Sequence, residues 1–411
     1  MAAAARAGAG AGAGAVVALL LLTMIAMPPP AEAHLQIGAY NETCPQAEEV
    51  VLKEMTAMVG KSPDLAGAVL RLFSVDCFVG GCEASILLDS TANSTAEKDA
   101  PLNKGVGGYE AVDAIKAKLD AACPGVVSCA DTLALAARDS VRLSKGPFIP
   151  LPTGRRDGNR SVAADVALNS PAPGATIADI IALFATKFNL TAKDVAVLSG
   201  TWLSNSCVVA ASRIKDGIIG LNIRNICLCS PATKHNTTPQ AGAHTIGKAR
   251  CSAVSPRLYN FGGQKGASDP TLDASYTATL RGECKPGDNA TLVNLDPTTP
   301  TVFDTNYYAL VAGKRGLLST DAALLLDPTT KAYVSSQANA TSPDQFFADF
   351  AASFVAMSKL GALTHHNGEI RQACSKINPP SSANAAAAAR SRRHLTATAG
   401  LLATLAVALV L

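Results

Sequence analysis

Apolar residues recur every three to four positions through most of this chain, which is the spacing of amphipathic helices. Five segments show the pattern most clearly: 47–59, 64–73, 109–119, 130–143 and 177–188. Alternating patterns typical of strands are scarce, and clusters of proline and glycine at 147–152 and 169–174 separate the helical segments. The sequence therefore predicts a mainly helical protein with long ordered loops.

Both ends of the chain carry apolar segments with the features of processing signals. An apolar run at 16–27 precedes the small-x-small triplet at 31–33, so we expect residues 1–33 to be a signal peptide. Residues 377–411 form a C-terminal extension in which small residues and an arginine-rich spacer precede an apolar tail. This order is typical of a GPI-attachment signal, with Asn384 as a candidate attachment residue, and a cleaved sorting propeptide is the alternative.

Composition narrows the class of protein further. Of 411 residues 48% are hydrophobic, enough for a substantial core, while a net charge of +3 without a polybasic run argues against nucleic-acid binding. The eleven cysteines should mostly be paired in the secretory pathway. Six glycosylation sequons outside residues 201–242 agree with export: Asn41, Asn93, Asn159, Asn189, Asn289 and Asn339.

Residues 201–242 look foreign to their surroundings, because they interrupt a segment that would otherwise continue as a helix from 193–200 directly into 243–247. They contain Cys207, Cys227 and Cys229, and removing these three from the eleven leaves an even set of eight. Translated intron sequence is one interpretation. A genuine surface loop is the other, although it would be unusually long for a compact domain.

The segment richest in candidate catalytic and metal-binding residues is 71–85, which reads Arg-Leu-Phe-Ser-Val-Asp-Cys-Phe-Val-Gly-Gly-Cys-Glu-Ala-Ser. Arg71 and Val75 are four apart and share one helix face. Asp76 and the alternate positions Val79, Gly81, Glu83 and Ser85 offer side-chain and carbonyl oxygens that would suit calcium. Taken alone, the block would favour a solvated acidic loop over a calcium site.

This block resembles the distal motif of the plant secretory (class III) haem peroxidases, Arg-Leu-His-Phe-His-Asp-Cys-Phe-Val-Gly-Gly-Cys-Asp-Ala-Ser, with eleven of fifteen residues unchanged. The resemblance extends over most of residues 34–376 except the insertion, through five further segments: 125–131, 154–158, 243–247, 257–261 and 303–308. It implies an all-α fold of about ten helices, in a distal and a proximal lobe around haem b, with four disulfides and two calcium ions.

The resemblance also assigns roles to single residues. Of the six histidines only His244 lies in a helical motif, and the family context makes it the axial haem ligand, with Asp321 accepting a hydrogen bond from its other ring nitrogen. Arg71 would stabilise charge on bound peroxide, Asn103 would orient the distal base, and the Pro171 carbonyl would hold aromatic donors.

The implied calcium ligands are Asp76, Val79, Gly81, Glu83 and Ser85 on the distal side, and Thr245, Asp296, Thr299, Val302 and Asp304 on the proximal side. Glu83 stands where the family has aspartate, so we expect weaker distal calcium binding. The implied disulfides are Cys44–Cys123, Cys77–Cys82, Cys129–Cys374 and Cys251–Cys284.

One departure bears directly on activity, because Val75 occupies the position of the distal histidine, the general acid-base of these enzymes. The sequence has no histidine from residue 35 to 234. We expect a peroxidase that uses hydrogen peroxide to oxidise small phenols, with impaired turnover; the alternative is a catalytically inactive haem-binding relative. We expect a monomer that is secreted to the cell wall or surface, GPI-anchored if the tail is used, with a vacuolar location less favoured.

Overall fold

The computed structural model describes residues 35–171, 175–198 and 244–379, and these are folded almost entirely as helices. The described residues contain thirteen α-helices: α1 Ala47–Lys61, α2 Asp64–Val79, α3 Tyr109–Ala122, α4 Cys129–Leu143, α5 Ala163–Asn169, α6 Ile177–Phe188, α7 Ala192–Val197, α8 Cys251–Leu258, α9 Ala274–Glu283, α10 Asn306–Ala312, α11 Ser319–Ala323, α12 Pro328–Ala338 and α13 Asp344–Met357. Four short 3₁₀ helices accompany them: Ser85–Leu87, Glu97–Asp99, Pro101–Asn103 and Phe261–Gly263.

The predicted all-α class is confirmed, and all five segments with helical periodicity form helices. There are more helices than the ten expected because five of them have only five to eight residues. The one sheet in the described part of the chain is a pair of short antiparallel strands, β1 Lys248–Arg250 and β2 Leu292–Asn294, in register with Ala249 opposite Val293.

Side chains at the helix starts explain where several helices begin. Ser128 accepts the backbone N–H of Asp131 at 3.0 Å and thereby caps α4. Thr176 with Asp179, and Thr191 with Asp194, form reciprocal capping boxes at the starts of α6 and α7. The first backbone N–H groups of these helices are satisfied locally, so the boundaries are fixed by the sequence itself.

Helices α2 and α4 are the centre of the fold. They pack extensively on each other, and α1 packs on α4, so that nearly every residue from Ala66 to Phe78 and from Cys129 to Val141 is buried. A separate, smaller core forms around β1, α8, α9 and β2 in the C-terminal half. The candidate site residues of α2 are therefore held in a rigid, closely packed element.

Two of the family-like segments, 125–131 and 154–158, meet at the start of α4. Asp131 accepts the backbone N–H groups of Gly154 and Arg155, and its other oxygen is 2.8 Å from Nη1 of Arg155. Asp157 accepts the N–H groups of Cys129 and Ala130, the first residues of α4. Both segments therefore have a structural role, since each carboxylate joins a loop to the buried helix start.

The predicted disulfides Cys44–Cys123, Cys77–Cys82, Cys129–Cys374 and Cys251–Cys284 are all formed. The first joins the segment before α1 to the end of α3, and the third joins α4 to the C-terminal segment. The proposed signal peptide at 1–33, the insertion at 201–242 with its three cysteines, and the tail from 380 onward lie outside the described residues. In the described part of the chain, no helix combines the length and the apolar character needed to cross a membrane.

We predict that Arg155→Met lowers the free energy of unfolding by about 3–5 kcal/mol, because it leaves the fully buried Asp131 carboxylate without its cation. The measurement is urea unfolding with the disulfides intact. Arg160→Met is the matched control, since the exposed Arg160 pairs with Asp165 at the surface and its loss should have little effect. Equal effects of the two substitutions would contradict this role of Arg155.

Candidate active site

Arg71 and Val75 lie on the central helix α2, and their side chains are only 2% and 5% exposed. Gly67, one turn before Arg71, lies against the backbone that follows His244, because a methyl group at Gly67 would be 2.8 Å from Cα of Gly247. Residues 67, 71 and 75 are spaced by four, so they follow one side of the helix. The start of the α2 side that carries Arg71 and Val75 therefore lies against the His244 segment.

His244 and Thr245 form a turn, and this differs from the helix that the sequence predicts through 243–247. Helix α7 ends at Val197, and Gly247, with φ of 102°, leads directly into β1. The interruption explains the difference, because a helix through His244 would need the preceding turn to be adjacent in sequence, and residues 201–242 separate the two. The side chain of His244 is nevertheless buried, with 1% exposure.

The His244 imidazole is held by the carboxylate of Asp321, as the sequence predicts. Nδ1 of His244 is 2.5 Å from Oδ1 of Asp321, and both side chains are fully buried. Oδ2 of Asp321 accepts the N–H of Leu318 at 2.7 Å, and Tyr307 donates its hydroxyl to Oδ1 at 2.9 Å. Burial alone would raise the pKa of Asp321, but the nearby imidazole and these hydrogen bonds hold it below its ordinary value. Asp321 is therefore a buried carboxylate that orients the ring.

Two buried polar atoms of the site have no hydrogen-bond partner in the described chain. One is Nε2 of His244, the ring nitrogen opposite Asp321. The other is Oδ1 of Asn103, whose amide nitrogen donates to the carbonyl of Glu97 at 2.9 Å. Buried polar groups are nearly always paired, so each of these atoms calls for an explanation. A metal bound at Nε2 would account for the first, and the absence of a distal base at position 75 would account for the second.

The residues beside Val75 do not provide a replacement base. Ser74 donates its hydroxyl to the carbonyl of Leu70, one turn earlier on its own helix, at 2.9 Å. Phe73 lies in the core, with its ring centroid 5.3 Å from that of Phe354. Arg71 is deeply buried, and burial lowers its pKa to about 9, so its cationic form still predominates at neutral pH.

An oxygen-rich cluster lies where α2 ends. Asp76 accepts the N–H groups of Ala84 and Ile86, and a methyl group at Gly80 would be 3.0 Å from both Oε1 of Glu83 and Oγ of Ser85. Burial raises the pKa of Asp76 and of Glu83 to about 7, and that of Glu97, bonded to Ser85, to about 8. Two buried carboxyls, Asp76 and Glu97, close to the half-buried Glu83 are electrostatically unfavourable, and a bound cation would relieve this.

The second oxygen cluster joins the turn at His244 to the loop before α10. Thr245 bonds to the carbonyls of Val302 and Asp304, at 3.3 and 2.9 Å, and Asp296 bonds to Thr299. The amide of Asn306 joins the two groups, since it donates to Thr299 and to Asp304. All five residues of the predicted proximal calcium site are therefore brought together.

The structure adds residues that sequence reasoning missed. Three of them contact predicted site residues although no local pattern marks them: Glu97, Asn306 and Tyr307. Tyr307 falls within the family-like segment 303–308, but the sequence assigns it no role. Among the described residues, no group of three or more His, Cys, Asp or Glu side chains is arranged for a metal, so both clusters would depend on hydroxyl and carbonyl oxygens as well. Pro171 is partly buried, and its neighbours 172–174 lie outside the described residues.

Comparison with known proteins defines the class. The family described as Peroxidase matches residues 51–340. Peroxidase 1 of Oryza sativa subsp. japonica is 42% identical over 351 residues, covering 85% of this chain and 94% of the relative. Peroxidase 27 of Arabidopsis thaliana is 40% identical over 344 residues, covering 84% and 92%. The chain belongs to the plant secretory (class III) haem peroxidase family, and by that membership to the oxidoreductases that act on peroxide.

We predict that Gly67→Ala destabilises the protein by about 1–3 kcal/mol, because the new methyl group meets backbone rather than a movable side chain. Thermal unfolding measures the effect. Gly60→Ala on α1 is the control: nothing lies within 4 Å of the added methyl group, so a gain of up to about 1 kcal/mol is expected. A neutral Gly67→Ala would show that α2 does not contact the His244 segment closely.

Proposed function

We propose that this protein is a secreted haem peroxidase whose peroxide chemistry is impaired by the valine at position 75. The observation that best supports this proposal is the contrast between the two halves of the site. The His244–Asp321 pair is complete, while Asn103 has an unpaired buried oxygen in place of a distal base. The proposal keeps the family reaction, oxidation of phenolic donors by hydrogen peroxide, and assigns it a slow peroxide-cleaving step.

The residues on the proximal side fit haem b. His244 presents a buried Nε2 with no hydrogen-bond partner in the described chain, and Asp321 fixes the ring through Nδ1. An imidazole hydrogen-bonded to a carboxylate is a more basic ligand than a free one. When bound, haem supplies the redox-active iron at which peroxide is reduced and phenols are oxidised. The protein's part is to present the ligand nitrogen and to exclude water from it.

The distal side lacks the group that would move a proton between the two oxygens of peroxide. Arg71 retains its charge and would stabilise negative charge on the leaving oxygen. Val75 can neither take nor return a proton, and Ser74 is bonded to its own helix. A missing general acid-base costs roughly 10² to 10⁴ in rate, or about 2.7–5.5 kcal/mol of barrier.

A non-catalytic haem protein is the second candidate. It is favoured by the packing of α2, because the side chains from Phe73 to Val75 are all buried in the core or bonded to backbone, and none of them is available as a base. Measurable oxidation of phenols, with donors held near Pro171, would support the peroxidase proposal, and its absence would support this alternative.

Two calcium ions complete the proposal. The distal cluster around Asp76 and Glu83 and the proximal cluster around Asp296 and Asp304 both combine carboxylate, hydroxyl and carbonyl oxygens, which is the donor set of calcium. The raised pKa values of Asp76 and Glu83 support a cation on the distal side.

Export is supported by the surface of the protein. The sequon asparagines are all exposed, as glycosylation requires: Asn41, Asn93, Asn159, Asn189, Asn289 and Asn339. With the four disulfides this favours a secreted glycoprotein of the cell wall or surface, which we propose to be a monomer. A GPI anchor through the tail remains part of the proposal.

We predict that Val75→His raises peroxide-dependent phenol oxidation, per bound haem, by about a hundredfold or more. The restored imidazole would regain Oδ1 of Asn103 as a partner and would move the proton that Val75 cannot. The measurement is steady-state oxidation of a phenol by the full chain secreted from eukaryotic cells, with haem content determined for each variant.

Val75→Gln is the matched control, because it adds a polar side chain that cannot act as a base. Its rate of phenol oxidation per bound haem should stay near that of the parent protein. Adding Asn103→Ala to Val75→His should remove part of the gain. A parent as fast as Val75→His would overturn the assignment of Val75 to the base position. A folded, haem-loaded Val75→His that remains inert would contradict the claim that the missing base limits the protein.

We predict that Glu83→Asp strengthens calcium binding at the distal cluster. The Glu83 carboxylate lies close to Gly158, because a methyl group added to this glycine would be only 2.7 Å from Oε2 of Glu83. The shorter aspartate would move the carboxylate away from Gly158. The measurement is the rise in unfolding temperature that calcium produces after chelator treatment. Asp64→Glu, at the exposed start of α2, is a control that should leave this calcium response unchanged. An unaltered response in Glu83→Asp would refute the role of Glu83.

A further inference from the structure

Tyr307 contacts both members of the proximal pair. Its ring lies edge-on to the His244 ring, with centroids 5.7 Å apart and planes at 81°. Its hydroxyl donates to Oδ1 of Asp321 at 2.9 Å. Tyr307 is itself buried, with 3% exposure, and lies at the second position of α10. A single residue is therefore in contact with the imidazole and with the carboxylate that orients it.

The hydroxyl of Tyr307 and Nδ1 of His244 use the same carboxylate oxygen. Oδ1 of Asp321 accepts from both, while Oδ2 accepts only the N–H of Leu318 in the hydrogen bonds described. A second donor on one oxygen withdraws electron density from it, so that oxygen becomes a weaker acceptor for the first. The imidazole then keeps more of its Nδ1 proton and has less negative character at Nε2.

We infer that Tyr307 is a positioning residue that weakens the Asp321–His244 hydrogen bond and so limits the charge that the imidazole donates to a metal at Nε2. This inference rests on the proposed function, because it takes His244 as the haem ligand. Removing the hydroxyl should strengthen the hydrogen bond to Nδ1, make the ligand more basic and favour ferric over ferrous iron.

The neighbouring Tyr308 provides a matched control. It is equally buried, lies on the same helix and contacts Tyr307 with ring centroids 5.1 Å apart. Its hydroxyl donates to the carbonyl of Ala196 at 3.2 Å instead of to Asp321. Tyr307→Phe and Tyr308→Phe therefore each remove one buried hydroxyl and keep the aromatic ring, so a general loss of packing or stability would affect both.

The first measurement uses haem-free protein labelled with ¹⁵N-histidine. The Nδ1 proton of His244 should move downfield in Tyr307→Phe, because its hydrogen bond to Asp321 becomes stronger, and should not move in Tyr308→Phe. Introducing 3-fluorotyrosine at position 307, a stronger donor, should move the proton upfield. This second variant retains the ring and the hydroxyl, so the test remains decisive even if Tyr307→Phe does not fold.

The second measurement uses haem-loaded full-length protein. Tyr307→Phe should raise the iron–imidazole stretching frequency of the ferrous protein and lower its midpoint potential. We expect the ferrous-to-ferric ratio at a fixed potential to fall roughly threefold to tenfold, where tenfold equals 59 mV for one electron. Asp321→Asn should shift the potential in the opposite direction, and Tyr308→Phe should leave it in place.

The outcomes separate the two proposals. A parent protein with no histidine-ligated haem would overturn the proposed function, whatever the proton resonance shows. A haem-loaded parent in which neither the Nδ1 proton nor the potential responds to the change at position 307 would overturn the role of Tyr307 alone. Equal shifts in Tyr307→Phe and Tyr308→Phe would reduce Tyr307 to a packing residue.

Discussion

Burying carboxylates is the constraint on which this structure depends. Asp131, Asp157 and Asp321 are completely inaccessible or nearly so, and each accepts at least one backbone N–H. Each also lies beside a basic side chain, which is Arg155 for Asp131, Arg371 for Asp157 and His244 for Asp321. A buried charge without such partners costs several kcal/mol, so these hydrogen bonds determine where the surrounding loops lie. Asp131 and Asp157 hold loops against the start of α4, and Asp321 holds the His244 ring against α11. None of these contacts involves Val75.

That independence explains how the distal side can change while the fold persists. The substituted residues of α2 are compatible with the closely packed interior: Phe73 packs on Phe354, the hydroxyl of Ser74 is bonded to its own helix, and Val75 joins the apolar core. The buried Oδ1 of Asn103 has no hydrogen-bond partner in the described chain. Leaving one amide oxygen unpaired costs about 1–3 kcal/mol, which a core of this size tolerates. The chemistry of a site can therefore be lost without loss of its scaffold.

Sequence reasoning succeeded where the information is local or covered by the resemblance. Helical periodicity located α1 to α4 and α6, and the family likeness supplied the four disulfides and the Asp321–His244 pair. Contacts between distant residues with no pattern of their own were missed. Tyr307 and Asp321 come from different helices, and Gly67 touches Gly247 across 180 positions of sequence. The sequence predicts a helix through His244 only if 193–200 joined 243–247 directly, and His244 lies in a turn because residues 201–242 separate the motif from α7.

Glu97 connects two parts of the distal side that the sequence treats separately. Its carboxyl group bonds to Oγ of Ser85 in the oxygen cluster at 3.2 Å, and its backbone carbonyl accepts the amide of Asn103 at 2.9 Å. Asn103 belongs to the next short 3₁₀ helix, so a shift of the oxygen cluster is transmitted to it through two hydrogen bonds and a few residues of backbone. The cluster therefore helps to position Asn103 whether or not a base lies opposite the Asn103 side chain. Because the same cluster also lies at the end of α2, its integrity affects the helix that carries Arg71 as well as Asn103.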